Sequence, residues 1–318
     1  MKTAILVPRI SSRKVLDLLV VVDQPVFYLE KSNWFWRAIS RGRARQIDDI
    51  SVLYKDLGFK TVVVIPLEEF DLKFLADLVL CIPPEKCHII WHGPTKNMTV
   101  LSNKKEFQNF CEARNLPIAS SQLNGKKFVV KPIFGSGSRG VKFCGWTEAE
   151  AKVDDAGYVV QQFIESDDSP YGFSGFSHQG SIEFLIGHQR IITSGGAVGS
   201  SILARQIDVP EAVSDVCVRL IRELEFSGFF MVEMIKSKCG DWIIIELNPR
   251  IWGSFRLGIR FIDFSMALPK FELFETKRSL FFLHGFLVRP CKLIAGVICE
   301  FRFNRVRMSP SCKLLWKR

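Results

Sequence analysis

Two apolar runs, each interrupted by a glutamate, constrain the fold of this chain most strongly. Residues 229–235 and 242–247 flank a short polar segment, which predicts two antiparallel strands joined by a tight turn. If residues 239–240 form the turn, Glu233 lies directly opposite Glu246 across the ladder. Because facing carboxylates repel each other, this pairing favours a cation between them.

Two further polar residues follow Glu246 with the spacing of one strand face. Asn248 has the same parity as Glu246, and Arg250 continues it. The alternative is two unrelated carboxylates on a half-solvated sheet, but the flanking residues are Val, Ile, Met and Phe. Carboxylate and amide oxygens suit a hard cation, so we predict that Glu233, Glu246 and Asn248 bind Mg²⁺, with Mn²⁺ as a substitute.

A glycine-rich stretch, FVVKPIFGSGSRGVKFCGW at residues 128–146, carries the spacing G-x-G-x-x-G. A dinucleotide-binding fold would need a helix after these glycines, whereas Val-Lys-Phe-Cys-Gly-Trp predicts a strand. A Walker loop would end in Gly-Lys-Ser/Thr, and a protein kinase would also contain His-Arg-Asp and Asp-Phe-Gly. The chain has none of these motifs, which excludes both classes. The stretch therefore predicts either an ordinary glycine-rich hairpin or one whose backbone N–H groups approach phosphates beside Lys131.

Together the two stretches resemble the ATP-grasp superfamily, most closely its carbamoyl-phosphate-synthase-like carboxylate–amine ligases. The resemblance covers residues 96–268, and its specific part is the final motif with the Trp-Gly-Ser that follows. The matching segments, in order, are Val130-Lys131-Pro132, the glycine loop, a hinge strand at 158–165, Glu233, and Glu246-Leu247-Asn248-Pro249-Arg250.

The resemblance implies an ATP-dependent ligase that joins a small-molecule carboxylate to an amine through an acyl phosphate, releasing ADP and phosphate. ATP would lie between two α+β lobes, with Mg²⁺ bridging its phosphates. Lys131 and Arg250 would be catalytic, and the hinge backbone would meet the adenine edge, although a plain edge strand explains those residues equally. The implied ATP-binding residues are Lys104, Lys131, Gly135, Ser136, Gly137, Ser138, Arg139, Gly140, Gln161, Gln162 and Ile164.

The substrate side is less defined. His188 and Arg190 fall where relatives carry a basic strand, and a histidine in such a place is more often structural than an acid–base group. Arg190 and Arg205 are the better candidates for phosphate or carboxylate contacts. Two alternatives for the function stay open: an acceptor other than an amine, such as bicarbonate, or a non-catalytic ATP-binding accessory protein with a basic tail.

The predicted fold class is α/β and α+β, with a small parallel α/β domain followed by a two-lobed ATP-grasp fold. Helices are predicted at 103–115 and 210–224, where apolar residues recur every three or four positions, and at 34–45. The predicted domains are residues 1–95, 96–165 (small lobe), 166–269 (large lobe) and 270–318 (basic segment). In the first domain, strands are predicted at 4–7, 26–29, 61–65, 78–82 and 88–91.

Composition supports a cytoplasmic globular protein. Nine cysteines without a C-x-x-C pair favour neither a zinc site nor a disulfide framework, and no apolar run is long enough to span a membrane. Most of the formal charge of +10 lies in residues 270–318, which contain eleven lysines and arginines but only three acidic residues. This phenylalanine-rich segment predicts a basic solvent face, or peripheral contact with an anionic membrane or an acidic partner, and no specific nucleic-acid binding.

Overall fold

The computed structural model describes residues 2–9, 13–30, 40, 42–82, 85–94, 96–135, 139–195, 198–266, 268–281, 297 and 305–308. Its first part is a parallel sheet with strand order β3-β2-β1-β4-β5. Strands β1 and β4 are buried at every position because the sheet packs on both faces. The elements are β1 (Thr3–Val7), α1 (Arg13–Val21), β2 (Val26–Tyr28), β3 (Ala44–Gln46), α2 (Ser51–Lys55), β4 (Thr61–Val64), α3 (Asp71–Leu80) and β5 (His88–Trp91).

The parallel α/β domain is thus confirmed, with two corrections. The apolar run at 78–82 is not a strand but contains the end of helix α3, which buries Leu72 and Leu75. A run this short cannot be assigned to helix or strand by periodicity alone. The helix predicted at 34–45 lies largely outside the described residues, and its last two residues belong to the edge strand β3.

A small sheet with strand order β7-β6-β8 follows. Helix α5 begins where the Asn103 side chain accepts hydrogen bonds from two backbone N–H groups, and it buries Phe107, Phe110 and Cys111 as its spacing predicted. The elements are α4 (Met98–Ser102), α5 (Lys104–Ala113), β6 (Phe128–Pro132), β7 (Lys142–Cys144), α6 (Trp146–Val153) and β8 (Tyr158–Gln162).

The largest sheet has the order β13-β12-β9-β10-β11-β16-β17 and is antiparallel apart from its last pair. Helix α7 follows the predicted amphipathic pattern at 210–224. The elements are β9 (Tyr171–His178), β10 (Ser181–Gly195), β11 (Val198–Ile207), α7 (Glu211–Glu223), β12 (Gly228–Lys236), β13 (Trp242–Asn248), a 3₁₀ turn (Phe255–Leu257), β14 (Ile259–Asp263), β15 (Lys270–Leu273), β16 (Arg278–Phe281) and β17 (Arg305–Met308).

The two faces of this sheet have different neighbours. On the back face, Phe173, Phe230 and Val232 share one core with α5 and α7. On the front face, Phe229 and Met231 pack with residues of the N-terminal sheet and α1. Since side chains alternate along a strand, Glu233 lies on the front face, beyond this second core.

The basic segment contributes strands to the same sheet, since β16 pairs with β11 and β17 pairs with β16. Phe271 packs against the front-face core, and the Arg278 guanidinium lies over the ring of Phe274. The boundary at residue 269 and the proposed membrane contact both stay predictions. Within the described parts of the chain, no helix combines the length and apolarity needed to cross a bilayer.

Candidate active site

Glu233 and Glu246 are directly paired across β12 and β13, as the sequence predicted. The route to this register differs from the prediction. Ser237 N–H donates to the Asp241 carbonyl, so three residues rather than two form the turn. A register shift after Glu233 then restores the expected pairing, because a β-bulge adds one residue to one strand.

The amide of Asn248 and the guanidinium of Arg190 both lie against this pair of carboxylates. Asn248 Nδ2 lies 3.2 Å from Glu246 Oε1 and 3.5 Å from Glu233 Oε1, and Arg190 Nη2 donates to Glu233 Oε1. Within the described residues there is no group of three or more His, Cys, Asp or Glu that could hold a metal. A cation here would therefore rely on two carboxylates and one amide, which are oxygen ligands that suit Mg²⁺.

Burial shifts the pKa values of two groups in this cluster. Desolvation raises the pKa of Glu233, the Arg190 charge lowers it, and the charge of Glu246 raises it further. Burial also lowers the pKa of Lys131, and the Glu246 charge partly opposes that shift. Two carboxylates and two basic side chains therefore lie close together at a place that water barely reaches.

A cavity of about 410 Å³ opens beside the cluster, between the small sheet and the front face of the large one. Its apolar lining residues include Val129, Phe163, Ile164, Ile235 and Ile243. Its charged lining residues are Lys104, Lys131, Arg139, Asp167, Asp168, Arg190, Glu233 and Glu246. A cavity with both kinds of lining suits a ligand that combines an apolar ring with charged groups.

Strands β6 and β7 pair as the predicted hairpin, and Gly135 and Arg139 from the connection between them line this cavity. Gly135 and Gly140 have φ values of +117° and +75°, and a Cβ at Gly140 would lie 2.8 Å from the Pro132 ring, so glycine is required there. Lys104 Nζ donates to the Gly135 carbonyl, which ties α5 to the loop. The predicted contacts of Ser136, Gly137 and Ser138 lie outside the described residues.

The residues of the predicted hinge line the cavity, but their hydrogen-bonding groups differ in availability. Gln162 lines the cavity, and its N–H donates to the Ser120 carbonyl at 2.8 Å, so this donor is not free for a ligand. Gln161 also lines the cavity, but its buried side chain donates to Gln108 Oε1. Ile164 lies two residues beyond Gln162 and lines the cavity, so its backbone is the better candidate for the adenine edge.

His188 lies in the same cross-strand row as the glutamate pair. The row runs Glu246, Glu233, Gly172, His188 across four neighbouring strands. A Cβ at Gly172 would overlap the imidazole ring, so the ring lies over this glycine, toward Glu233. Burial and the nearby Arg190 charge lower the pKa of His188 to about 3, which keeps it neutral.

Arg205 requires a correction, because the structure does not bring it to this face. Arg205 Nη2 donates to Gln189 Oε1 at 2.7 Å, directly across the ladder. Gln189 and Arg190 are neighbours in β10, so their side chains point to opposite faces. Arg190 faces Glu233, which leaves Arg205 on the back of the sheet.

The N-terminal domain supplies charged residues that the sequence reasoning missed. Arg250 ion-pairs with Glu68 and with Glu69, each at 3.6 Å, and donates to Asn248 Oδ1 at 2.8 Å. Lys14 Nζ in turn lies 2.8 Å from Glu68 Oε1. Their position in the sequence could have indicated a role, because Glu68 and Glu69 follow the carboxyl end of the predicted parallel strand at 61–65, and ligand sites in α/β sheets lie at that end.

Residues 101–254 match the family model described as ATP-grasp domain. The resemblance inferred from the glycine loop and the Glu-x-Asn-Pro-Arg motif is therefore confirmed for this part of the chain. No curated protein matches the chain by sequence.

Similar solved structures share the fold at low identity. The N5-carboxyaminoimidazole synthetase of Staphylococcus aureus is 13% identical, with a TM-score of 0.53 over 80% of this chain and 71% of that one. The L-amino acid ligase of Bacillus licheniformis is 18% identical, with a TM-score of 0.53 over 81% and 71%. A Rhizobium etli pyruvate carboxylase is 15% identical, with a TM-score of 0.56 over 80% of this chain but only 27% of that one.

Proposed function

We propose that this chain uses its ATP-grasp domain as an ATP-dependent ligase, forming an amide or related bond between a carboxylate and an amine. One observation carries the proposal. Two paired carboxylates, Glu233 and Glu246, line a cavity of about 410 Å³ together with the cations Lys131 and Arg190, and Arg190 donates to Glu233. Solved structures with this fold include a synthetase and an L-amino acid ligase, which agrees with ligase chemistry.

The proposed reaction has two steps. A carboxylate oxygen of the first substrate attacks the γ-phosphorus of ATP, the bond to the β–γ bridging oxygen breaks, and ADP leaves. An amine nitrogen then attacks the acyl carbon, phosphate leaves with the bonding electrons, and the nitrogen loses a proton. Both steps depend mainly on positioning and on neutralising negative charge.

The residues divide these tasks between them. Lys131, buried under the cavity, and Lys104, tied to the loop at Gly135, would hold the phosphates. The hairpin would exclude water above them. Arg190 and Arg250 would neutralise the charge that moves with the phosphoryl group.

Mg²⁺ fits the donor set described above, with Glu233, Glu246 and Asn248 as its holders. When bound, it would neutralise phosphate charge. Asn248 now turns its Nδ2 toward the carboxylates and its Oδ1 toward Arg250. Binding through the amide oxygen would need this amide to rotate, at the expense of the Arg250 hydrogen bond.

The test is ADP and phosphate release by the purified full chain with Mg²⁺ and ATP, screened against amino acids, short peptides and amines. Substrate-dependent release of ADP together with a condensed product, identified by its mass, would support a ligase. Release of ADP with bicarbonate alone would point to a carboxylation instead. Tight ATP binding with no turnover under any condition would favour the non-catalytic accessory protein.

A further inference from the structure

The loop after β4 brings two adjacent carboxylates of the N-terminal domain to the edge of the proposed active site. Glu68 and Glu69 each retain about a fifth to a quarter of their side-chain exposure, at 24% and 20%. Arg250 lies 3.6 Å from each of them and donates to Asn248 Oδ1, and Asn248 Nδ2 lies 3.2 Å from Glu246 Oε1. Arg250 and Asn248 therefore connect these carboxylates to the proposed metal site.

The loop itself is held in place by a fixed set of contacts. Lys14 Nζ donates to the Leu67 carbonyl, and Asp71 accepts from the Glu68 N–H at 2.9 Å. Arg9 Nη2 in turn lies 2.7 Å from Asp71. The two carboxylates are thus positioned before any ligand arrives, which reduces the cost of binding one.

Arg250 meets these carboxylates only loosely. Both ion-pair distances are 3.6 Å, too long for hydrogen bonds. The Arg250 side chain is 11% exposed, yet its Nε is buried with no hydrogen-bond partner among the described residues. A buried guanidinium donor without an acceptor is costly, so a carboxylate ligand would stabilise the Arg250 side chain once it shifts to bring Nε within reach.

The two carboxylates differ in the number of basic side chains that pair with them. Glu68 is bonded to Lys14 at 2.8 Å. Glu69 has Arg250 as its one ion-pair partner among the described residues. Glu69 is therefore the group with most to gain from a second cation.

We propose that Glu69, with Glu68, binds the ammonium group of an α-amino acid whose carboxylate lies against Arg250. An α-amino acid carries both charges on one carbon, so it matches a guanidinium and carboxylates that are themselves adjacent. The inference rests on the proposed ligase function and names its carboxylate substrate. Glu69 acts here as a specificity residue, and it takes no part in phosphoryl transfer.

The test compares each common L-amino acid with its 2-hydroxy acid counterpart, which keeps the carboxylate and loses the cation. ADP formation is measured with the full chain, Mg²⁺ and saturating ATP. We expect kcat/KM to favour the amino acid by about tenfold or more, as for loss of a charge-assisted hydrogen bond. Glu69→Gln should lower this preference about tenfold and leave the KM for ATP unchanged, and Glu69→Asp should restore part of it.

Glu272→Gln is the matched control, because Glu272 also pairs with an arginine, at 3.9 Å, but on an exposed surface. It should leave the preference intact. Equal use of hydroxy and amino acids by the wild-type protein, or an unchanged preference in Glu69→Gln, would overturn the inference. A structural role for Glu69 would instead lower Tm and impair turnover with both kinds of acid equally.

The inference and the ligase proposal fail separately. If only carboxylates without an amino group give ADP, the ligase proposal stands and this inference falls. If no carboxylate gives ADP, the ligase proposal falls, and calorimetry of the same amino acids in the presence of a non-hydrolysable ATP analogue decides the inference. Binding that Glu69→Gln weakens would support it, and no binding by the wild-type protein would overturn it.

Discussion

Arg190 donates to Glu233 at the point where Glu233 faces Glu246, so a protein cation lies where a metal would be expected to bind. Both side chains are nearly buried, at 11% and 13% exposure. The contact relieves repulsion between the two carboxylates in the absence of a metal. A divalent cation bound to Glu233 would displace Arg190. The freed guanidinium would then be available for the role in phosphoryl transfer proposed above.

This relationship predicts how Arg190→Met responds to metal. Removing the guanidinium leaves a buried carboxylate unpaired, which should destabilise the metal-free protein by about 3–5 kcal/mol. Mg²⁺ should then recover more stability in the variant than in the wild-type protein. Thermal unfolding with and without Mg²⁺ measures this, and an equal Mg²⁺ response in both proteins would contradict it.

Glu246→Gln should abolish ATP turnover while the fold survives. The substitution removes one charge from the cation site and preserves its shape. Because it also relieves repulsion with Glu233, the metal-free variant should be as stable as the wild-type protein or more so, by up to about 1 kcal/mol. ADP formation at limiting Mg²⁺ and the unfolding midpoint are the measurements, with Glu272→Gln as control. If Glu246→Gln turned over ATP as fast as the wild-type protein, Glu246 would not be a metal ligand.

Lys131→Met should weaken ATP binding by about 2 kcal/mol, in line with a hydrogen bond to a charged group. The apolar side chain fits a buried position where burial already disfavours the ammonium, so stability should not fall. Calorimetric titration with ATP measures the effect. Lys142→Met, on the exposed side of the hairpin, should bind ATP normally. NAD should bind to none of these proteins, and detectable NAD binding would reopen the dinucleotide interpretation of the loop.

Lys14 predicts a pH dependence of stability. Its pKa is lowered from 10.5 to about 7, first by burial and then by the Arg250 charge. Between these two values the unfolded chain binds more protons than the folded one, so this group raises stability as pH increases from about 7 toward 10.5. The difference in free energy of unfolding between the wild-type protein and Lys14→Met should therefore shift in favour of the wild type over this window. Denaturant titrations at pH 7 and pH 9.5 measure it, and a constant difference would contradict the lowered pKa.

Local patterns in the sequence determined much of this protein. The helices at 104–113 and 211–223 follow from apolar spacing, because one face of each must be buried. The strands that carry Glu233 and Glu246 follow from apolar runs bounded by a turn. Family resemblance then connected these glutamates with the glycine loop, a connection that spacing alone does not make.

Tertiary structure decided the rest, since it depends on contacts between distant segments. The three-residue turn and the bulge offset each other, so the predicted pairing was right although the predicted turn was not. Register across β10 and β11 put Arg190 at the site and Arg205 behind it, because a shift of one residue reverses the face. Arg250 meets Glu69 only because the N-terminal sheet packs against the large one; the two residues are too far apart in sequence for any local pattern to relate them.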